Sequence, residues 1–252
     1  MVTDPDVSFV VTGGGRGIGR MIADRLATTG HVVVLDPVHQ GGSPDDDRIH
    51  RLQADAGDPD AAVAAAELAE SHAPLAGWVN NAAVFRDAGL ATASAAEISA
   101  LIAVNLDLAL VGCHTAVRHF LAHDRPGSIV NVSSHQAQRP VRGALPYATA
   151  KAAIEGLTRA AAVDHGPRGI RVNALALGSI TTDRYEAYRR THPEADGRIA
   201  ALHPIGRIGQ PLDVAEAVGF LLSPRSAFIT GAVLPVDGGR SVLGLDPESA
   251  ES

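Results

Sequence analysis

Apolar runs of strand length alternate with helix-length amphipathic stretches along almost the whole chain, and this alternation limits the folds that the chain can adopt. The strand-length runs are rich in Val, Ile and Leu and lack polar alternation, which is typical of parallel strands buried on both faces. Parallel neighbours need a long crossover connection, usually a helix. The sequence therefore predicts an α/β protein, with a doubly wound parallel sheet between two helical layers.

Seven strands and five principal helices follow from this pattern. The strands are expected at Val7–Thr12, Val32–Leu35, Ile49–Ala54, Leu75–Asn80, Ile129–Ser133, Ile170–Ala176 and Ala232–Val236. The helices are expected at Gly17–Thr29, Pro59–His72, Ala95–His123, Tyr147–His165 and Pro211–Leu222. No repeat and no linker of disordered composition interrupts them, so residues 1–252 are predicted to form one domain.

Two segments depart from the alternation. Pro37–Arg48 connects two predicted parallel strands with turn-forming residues and shows no helical pattern. Ser179–Arg207 mixes helical and loop character and is rich in Arg and Tyr. Its length suits a lid over a binding site.

Composition and charge argue against several classes of protein. The formal net charge is −7 and no basic run is present, so nucleic acid and anionic membranes are not expected partners. The single cysteine, Cys113, excludes an internal disulfide and a cysteine-based zinc site, and the eleven histidines show no ligand spacing. We therefore expect no metal site. The N-terminus has no basic start followed by an apolar stretch, which predicts a cytoplasmic location.

A glycine-rich turn lies between the first predicted strand and the first predicted helix. It reads TGGGRGIG over Thr12–Gly19. Glycines let the backbone turn sharply and let a pyrophosphate approach the amides at a helix N-terminus, where the helix dipole favours an anion. The residues of this turn expected to bind a dinucleotide are Gly13, Arg16, Gly17, Ile18 and Gly19.

The second predicted strand is followed by an acidic residue, Asp36. A carboxylate at this point accepts hydrogen bonds from the adenosine ribose hydroxyls and repels a 2′-phosphate, so the sequence favours NAD over NADP. Two alternatives remain at this stage. Asp36 could be a solvated residue at a strand end, or Arg16 in the turn could reach a 2′-phosphate.

The only lysine of the chain lies four residues after a tyrosine. Twenty arginines carry the remaining positive charge, whereas Lys151 follows Tyr147 at helical i, i+4 spacing. An ammonium is a compact point charge that fits beside a phenol, where it stabilises the phenolate and lowers the tyrosine pKa. The pair predicts a general acid/base. The alternative is that one lysine must fall somewhere and that the spacing is accidental.

Several motifs in order make the chain resemble the short-chain dehydrogenase/reductase family from about Val7 to Gly239. They are TGxxxGxG at Thr12–Gly19, Asp55 followed by Ala56, the NNAA of 80–83, Asn105 in a VNL context, and IVNVSS at 129–134. They continue with Tyr147 13 residues after Ser134, YxxxK at Tyr147–Lys151, GIRVN at 169–173 and VDGG at 236–239. Two positions depart from the family pattern: Ala83 stands for a usual glycine, and Leu177 for the proline of a Pro-Gly pair.

The resemblance implies an NAD(P)-dependent oxidoreductase that interconverts a secondary alcohol and a ketone, with strand order 3-2-1-4-5-6-7 and a homotetramer or, less often, a dimer. Its implied catalytic residues are Asn105, Ser134, Tyr147 and Lys151. Its implied cofactor contacts, besides the turn and Asp36, are Asp55, Ala56, Asn81, Tyr147, Lys151, Ile180 and Thr182. A cofactor-binding sensor without catalysis, and an NADPH-preferring ketoreductase, are the alternatives.

The substrate is not identified by the sequence. Arg139 and Arg142 follow the expected catalytic serine and could bind a carboxylate or phosphate of the substrate. They could equally be solvated or pair with a neighbouring subunit.

Overall fold

Seven parallel strands form one sheet in the computed structural model, which describes residues 7–38 and 47–244. The order along the sheet is β3-β2-β1-β4-β5-β6-β7. The strands are β1 (Ser8–Thr12), β2 (His31–Leu35), β3 (Ile49–Leu52), β4 (Leu75–Asn80), β5 (Gly127–Ser134), β6 (Ile170–Leu177) and β7 (Val233–Val236). The predicted fold class and strand order are confirmed.

Helices cover both faces of the sheet. They are α1 (Gly17–Ala27), α2 (Pro59–His72), α3 (Ala95–Ala122), α4 (Leu145–His165), α5 (Asp183–Arg189), α6 (Ala195–Ala200) and α7 (Pro211–Leu222). One apolar core lies between the sheet and α2, α3 and α4, and contains Trp78 and Phe120. The other lies between the sheet and α1 and α7, and contains Ile22 and Leu221.

The predicted element bounds match those in the structure or differ from them by one or two residues. The largest strand difference is β5, which extends from Gly127 to Ser134 because it pairs with β6 over eight positions. Helix α4 begins at Leu145, two residues before the predicted start, with Pro146 in its first turn, where the missing amide costs nothing. Residues 39–46 of the Pro37–Arg48 connection lie outside the described residues.

A chain of buried amides joins the centre of the sheet to α4. Asn80 Nδ2 donates to Asn131 Oδ1 at 2.8 Å, and Asn131 Nδ2 donates to Thr158 Oγ1 at 2.9 Å. Buried polar groups must be paired in this way, and the pairing fixes the position of α4 against β5. The helix that carries Tyr147 and Lys151 is thereby positioned on the strand that carries Ser134.

By length and hydropathy alone, α3 could cross a membrane, with a mean hydropathy of 1.7 over its most apolar window. Within the structure, 44% of that window is buried, and α3 packs against β4, α2 and α4. This is the environment of a core helix.

All seven strands point the same way, so their carboxyl ends lie along one edge of the sheet. Ligands of open parallel sheets bind at this edge, where strand order reverses. Here the reversal falls between β1 and β4.

Candidate active site

The glycine turn shapes an anion site at the start of α1. Gly17 has φ +54°, a left-handed conformation that favours glycine, and the space that a Cβ would enter is open. Arg16, the N-cap residue of α1, makes no side-chain hydrogen bond to the helix, and the first turn contains no acidic residue. The amides at this helix start are therefore not capped by a side chain. The site fits the pyrophosphate of a dinucleotide.

Two other glycines of the turn let β1, α1 and β4 approach one another closely. A Cβ on Gly13 would lie 2.8 Å from Ala82 Cα, and one on Gly19 would lie 2.1 Å from the Gly13 carbonyl oxygen. Asn81 Nδ2 donates to the carbonyls of Thr12 and Gly13, at 3.1 and 3.0 Å. In this structure the Asn81 side chain holds the turn in place.

Asp36 lies at the end of β2 and faces the glycine turn. Its two carboxylate oxygens accept hydrogen bonds from the Gly15 amide at 2.9 Å and the Val38 amide at 2.8 Å, and the residue is 8% exposed. Each oxygen still has acceptor capacity for a ribose hydroxyl. Arg16, the other candidate for cofactor choice, is exposed.

The remaining predicted cofactor contacts lie along the same edge of the sheet. Asp55 is exposed, and its Oδ1 accepts from the Gly57 amide at 2.8 Å, whereas Ala56 is buried in the core. Ile180 forms a bridge with Gly209, and Ile18 is half-buried in α1. The Thr182 hydroxyl caps α5 by accepting from the Tyr185 amide at 3.3 Å. Except for Ile18, these positions follow the carboxyl ends of β3 and β6.

The three residues expected to do the chemistry converge where β5 meets α4. Ser134 ends β5, and its hydroxyl is near enough to the Tyr147 phenol to lower the pKa of that group. Lys151 follows one turn later on α4, with Nζ 5.4 Å from the centre of the Tyr147 ring. All three are buried, at 6%, 9% and 2% exposure. The arrangement brings a phenol, a hydroxyl and an ammonium together in a buried site.

The predicted effect of Lys151 on the Tyr147 pKa is wrong for the protein without cofactor. Burial raises the pKa of Tyr147 to about 12, and the nearby Ser134 hydroxyl only partly opposes this rise. Burial also lowers the pKa of Lys151 to about 8. The Lys151 ammonium donates to the Val132 carbonyl at 2.6 Å rather than to the phenol. Desolvation is therefore the main cause of both pKa shifts.

Asn105 is buried in α3 and bonds to backbone groups. Its Oδ1 accepts from the Val84 amide and its Nδ2 donates to the Val84 carbonyl, both at 2.9 Å. The side chain therefore fixes the segment that follows β4 and leads toward Phe85. The implied water relay from Asn105 to Lys151 stays a prediction.

Two site residues were missed by the sequence reasoning. Phe85 is 55% exposed, and its ring centre lies 4.6 Å from that of Tyr147, while the Arg184 guanidinium lies 5.4 Å from the Phe85 ring centre. Glu155 is buried one turn after Lys151 and accepts from Ser133 Oγ at 3.1 Å. An aromatic residue in the polar segment after NNAA was the only sequence signal for Phe85.

Arg139 and Arg142 are both exposed. Among the described residues, neither guanidinium has a side-chain partner, so the structure does not join them to Tyr147. A cavity of about 270 Å³ lies behind the Ser179–Arg207 segment, lined by Ile180, His203 and Asp237 among others, and Tyr147 does not line it.

Comparisons with known proteins find similar sequences and similar folds. A family model described as enoyl-(acyl carrier protein) reductase matches residues 13–241. The 2-(S)-hydroxypropyl-CoM dehydrogenase 3 of Xanthobacter autotrophicus is 35% identical over 249 residues, which cover 93% of this chain and 96% of that protein. Among solved structures, ligand-free aldohexose dehydrogenase of Thermoplasma acidophilum has a TM-score of 0.84 at 31% identity, with 98% of each chain covered. ElxO with NADP bound has a TM-score of 0.86 at 27% identity, and covers 94% of this chain and 100% of that one.

Proposed function

The chain belongs to the short-chain dehydrogenase/reductase family, and on this basis we propose that it is an NAD-dependent oxidoreductase that interconverts a secondary alcohol and a ketone. Its relatives include dehydrogenases that act on alcohols, and a nicotinamide cofactor is supported by the NADP-bound neighbour. Beyond family membership, we propose the choice of NAD, the role of each residue and the class of substrate.

The observation that carries the proposal is the convergence of Ser134, Tyr147 and Lys151 at the carboxyl edge of the sheet. A cofactor-binding sensor needs only the glycine turn and Asp36. It does not need a buried phenol beside a serine hydroxyl, with an ammonium 5.4 Å from the centre of the phenol ring. Buried polar groups of this kind cost free energy and are typical of catalytic sites.

Tyr147 exchanges a proton with the substrate oxygen. At neutral pH its raised pKa keeps it a phenol, so it is ready to donate to a ketone oxygen. Ser134 hydrogen-bonds the same oxygen and holds it within reach of the phenol. In the oxidative direction, the positive charge of Lys151 stabilises the phenolate that must accept the proton.

A bound nicotinamide would supply the hydride acceptor or donor. The chain's own part is to bind and orient it. The amides at the start of α1 would bind the pyrophosphate, Asp36 the adenosine ribose hydroxyls, Asp55 the adenine, and Thr182 the carboxamide. Lys151, which is directed at Val132 in this structure, would turn to the nicotinamide ribose hydroxyls.

The preference for NAD rests on Asp36. A 2′-phosphate would enter next to a carboxylate that is 8% exposed, and like charges in that setting repel strongly. The NADP-bound neighbour favours the second candidate, an NADPH-preferring ketoreductase, in which exposed Arg16 would pair with the phosphate.

The quaternary state and cellular location are further parts of the proposal. Helices α3 and α4 expose Leu110 at 44% and Val163 at 76%, which supports their burial against further copies in a homotetramer or dimer. We place the protein in the cytoplasm. Light scattering after size-exclusion chromatography would contradict the oligomer if it gave the mass of one chain.

The proposal is tested with a panel of secondary alcohols and ketones, each with NAD and NADP, by the absorbance of reduced nicotinamide. The panel also contains an enoyl thioester, because the matching family model is described as an enoyl-(acyl carrier protein) reductase. Turnover of an alcohol with NAD⁺ is the expected result. Turnover of the enoyl thioester alone would show that the reaction was wrongly assigned, and cofactor binding with no turnover of any panel member would favour the sensor.

A further inference from the structure

Three histidines that are distant in the sequence meet at the edge of the sheet opposite the cofactor cleft. His31 is the first residue of β2, His50 the second of β3 and His72 the last of α2. Val33 pairs with His50 across the two strands, and His31 lies two residues before Val33, so both histidines share one face of the sheet. Helix α2 runs back from the end of β3 to the start of β4, which brings His72 to the same edge.

The three imidazoles are close enough to share one ligand. His31 Nδ1 and His50 Nε2 lie 3.1 Å apart, and the rings of His50 and His72 are stacked with centres 3.5 Å apart. One ring nitrogen from each residue lies within 4.8 Å of those of the other two. A tetrahedral zinc site with Zn–N distances of about 2.0–2.1 Å needs ligand nitrogens about 3.3 Å apart. One pair already has this spacing.

We propose that His31, His50 and His72 bind a divalent transition-metal ion, with Zn²⁺ as its representative. Neutral imidazole nitrogens suit Zn²⁺, Ni²⁺ and Cu²⁺ rather than Mg²⁺ or Ca²⁺. The exposed side chain of His72 can rotate to complete the set, and water or another group can take the fourth position. His31 Nδ1 and His50 Nε2, which share a hydrogen bond in this structure, then both coordinate the ion, and the proton of that bond moves to the other nitrogen of its ring.

A second cluster in the protein has similar composition but different chemistry. Glu70, His119 and His123 also lie within 4.8 Å of one another. The Glu70 carboxylate, however, already contacts the Leu75 amide at 2.9 Å, His119 Nε2 at 3.0 Å and Arg125 at 2.5 Å. Against the effect of burial, these contacts hold its pKa down at about 2. Because Arg125 neutralises this carboxylate, the cluster is a matched control rather than a competing site.

The proposed ion has a structural role. Strand β2 runs from His31 toward Asp36, so the ion lies about 16 Å from the cofactor end, at about 3.3 Å per residue. It joins the end of α2 to β2 and to the edge strand β3. Metal should therefore stabilise the fold without entering the reaction.

The sequence analysis expected no metal site because no two of these histidines have ligand spacing. They are 19 and 22 residues apart along the chain. Only the strand register and the return of α2 bring them together.

The test is zinc binding by untagged protein that has been stripped with a chelator, measured by calorimetry at about pH 7.5, because protons compete with the metal ion for its ligands. Metal content after equilibrium dialysis supplies the stoichiometry. We expect about one Zn²⁺ per chain. His72→Gln should weaken binding by about 10-fold or more, because one of three ligands is lost. His123→Gln should leave the affinity unchanged.

Thermal unfolding gives a second readout. At a zinc concentration about 100-fold above Kd, the wild-type midpoint should rise by about 5–10 °C, and that of His72→Gln should rise less. Far-UV circular dichroism of the metal-free variant confirms that it is folded. Wild-type protein without stoichiometric binding, His72→Gln with wild-type affinity, or a loss seen only in His123→Gln would each overturn the proposal.

Discussion

Replacing Lys151 by Met should make the cofactor-free protein more stable at neutral pH while removing its activity. Lys151 is 2% exposed, and burial lowers its pKa from 10.5 to about 8. The folded state therefore holds a charge that the unfolded chain solvates better. Met has a similar length and no charge, so it fits the same space without that cost.

The magnitude follows from the pKa difference. A lowering of about 2.5 pKa units corresponds to about 3 kcal/mol of destabilisation by the ammonium, at about 1.36 kcal/mol per unit. The variant loses the hydrogen bond to the Val132 carbonyl, which costs about 1–3 kcal/mol if that oxygen stays unpaired. The net gain at pH 7 is about 1 kcal/mol, or about 2–4 °C in the unfolding midpoint of a chain of this size.

The pH dependence gives the sharper test. Folding depresses the pKa of a cationic group, so the destabilisation is fully present below about pH 8 and is relieved as the pH rises toward 10.5. The stability advantage of Lys151→Met should therefore shrink over this range. It should then change sign, because the cost of losing the hydrogen bond to Val132 does not depend on pH. Other titrating groups contribute the same pH dependence to the stability of both proteins, so their contribution cancels in the difference.

Thermal unfolding of both proteins without cofactor, between about pH 6 and 10.5, measures this difference. Arg159→Met, on the exposed side of the same helix, is the control, and its difference from wild type should not vary with pH. A Lys151→Met difference that is constant over the whole range, or a variant less stable than wild type at pH 7, would refute the reasoning.

Three further predictions concern catalysis, cofactor choice and motion. Lys151→Arg should lower kcat by about 100-fold or more although charge is kept, because the planar guanidinium does not fit beside the phenol; wild-type kcat would contradict this, and Arg159→Lys is the control. The wild-type kcat/KM should be about 100-fold or more higher with NAD⁺ than with NADP⁺, since Asp36 repels a 2′-phosphate, and Asp36→Ala should narrow the ratio. Equal use of both cofactors by the wild type would show that Arg16 outweighs Asp36. Residues 183–203, which include α5 and α6, should gain hydrogen-exchange protection when NAD binds; unchanged protection at saturation would exclude a lid.

The fold was largely predictable because the strands are continuous apolar runs. Val32–Leu35 and Leu75–Asn80 are buried on both faces of a parallel sheet, so hydrophobicity alone marks them. The ends of the strands were less predictable. Gly127 and Ser128 carry no strand signal, yet they belong to β5 because their partners on β6, Ile170 and Arg171, hold them in register.

The site residues were predictable where spacing along the chain decides their contact. Tyr147 and Lys151 share a helix face, and the glycine turn lies between a strand and a helix, as the pattern indicated. The direction of the Tyr147 pKa shift was not predictable, because burial is set by packing that the sequence does not display. The contact of Phe85 with Tyr147 likewise depends on how the segment after β4 is held by Asn105.

The most direct test of the central claim is turnover by Tyr147→Phe of an alcohol that the wild-type protein oxidises with NAD⁺. The change removes one hydroxyl and keeps the ring that packs against Phe85. We predict a fall in kcat of about 100-fold or more, with NAD binding unchanged, since general acid/base catalysis contributes about 100- to 10,000-fold. A variant that binds NAD and retains kcat within about threefold of wild type would contradict the assignment of Tyr147 as the acid/base.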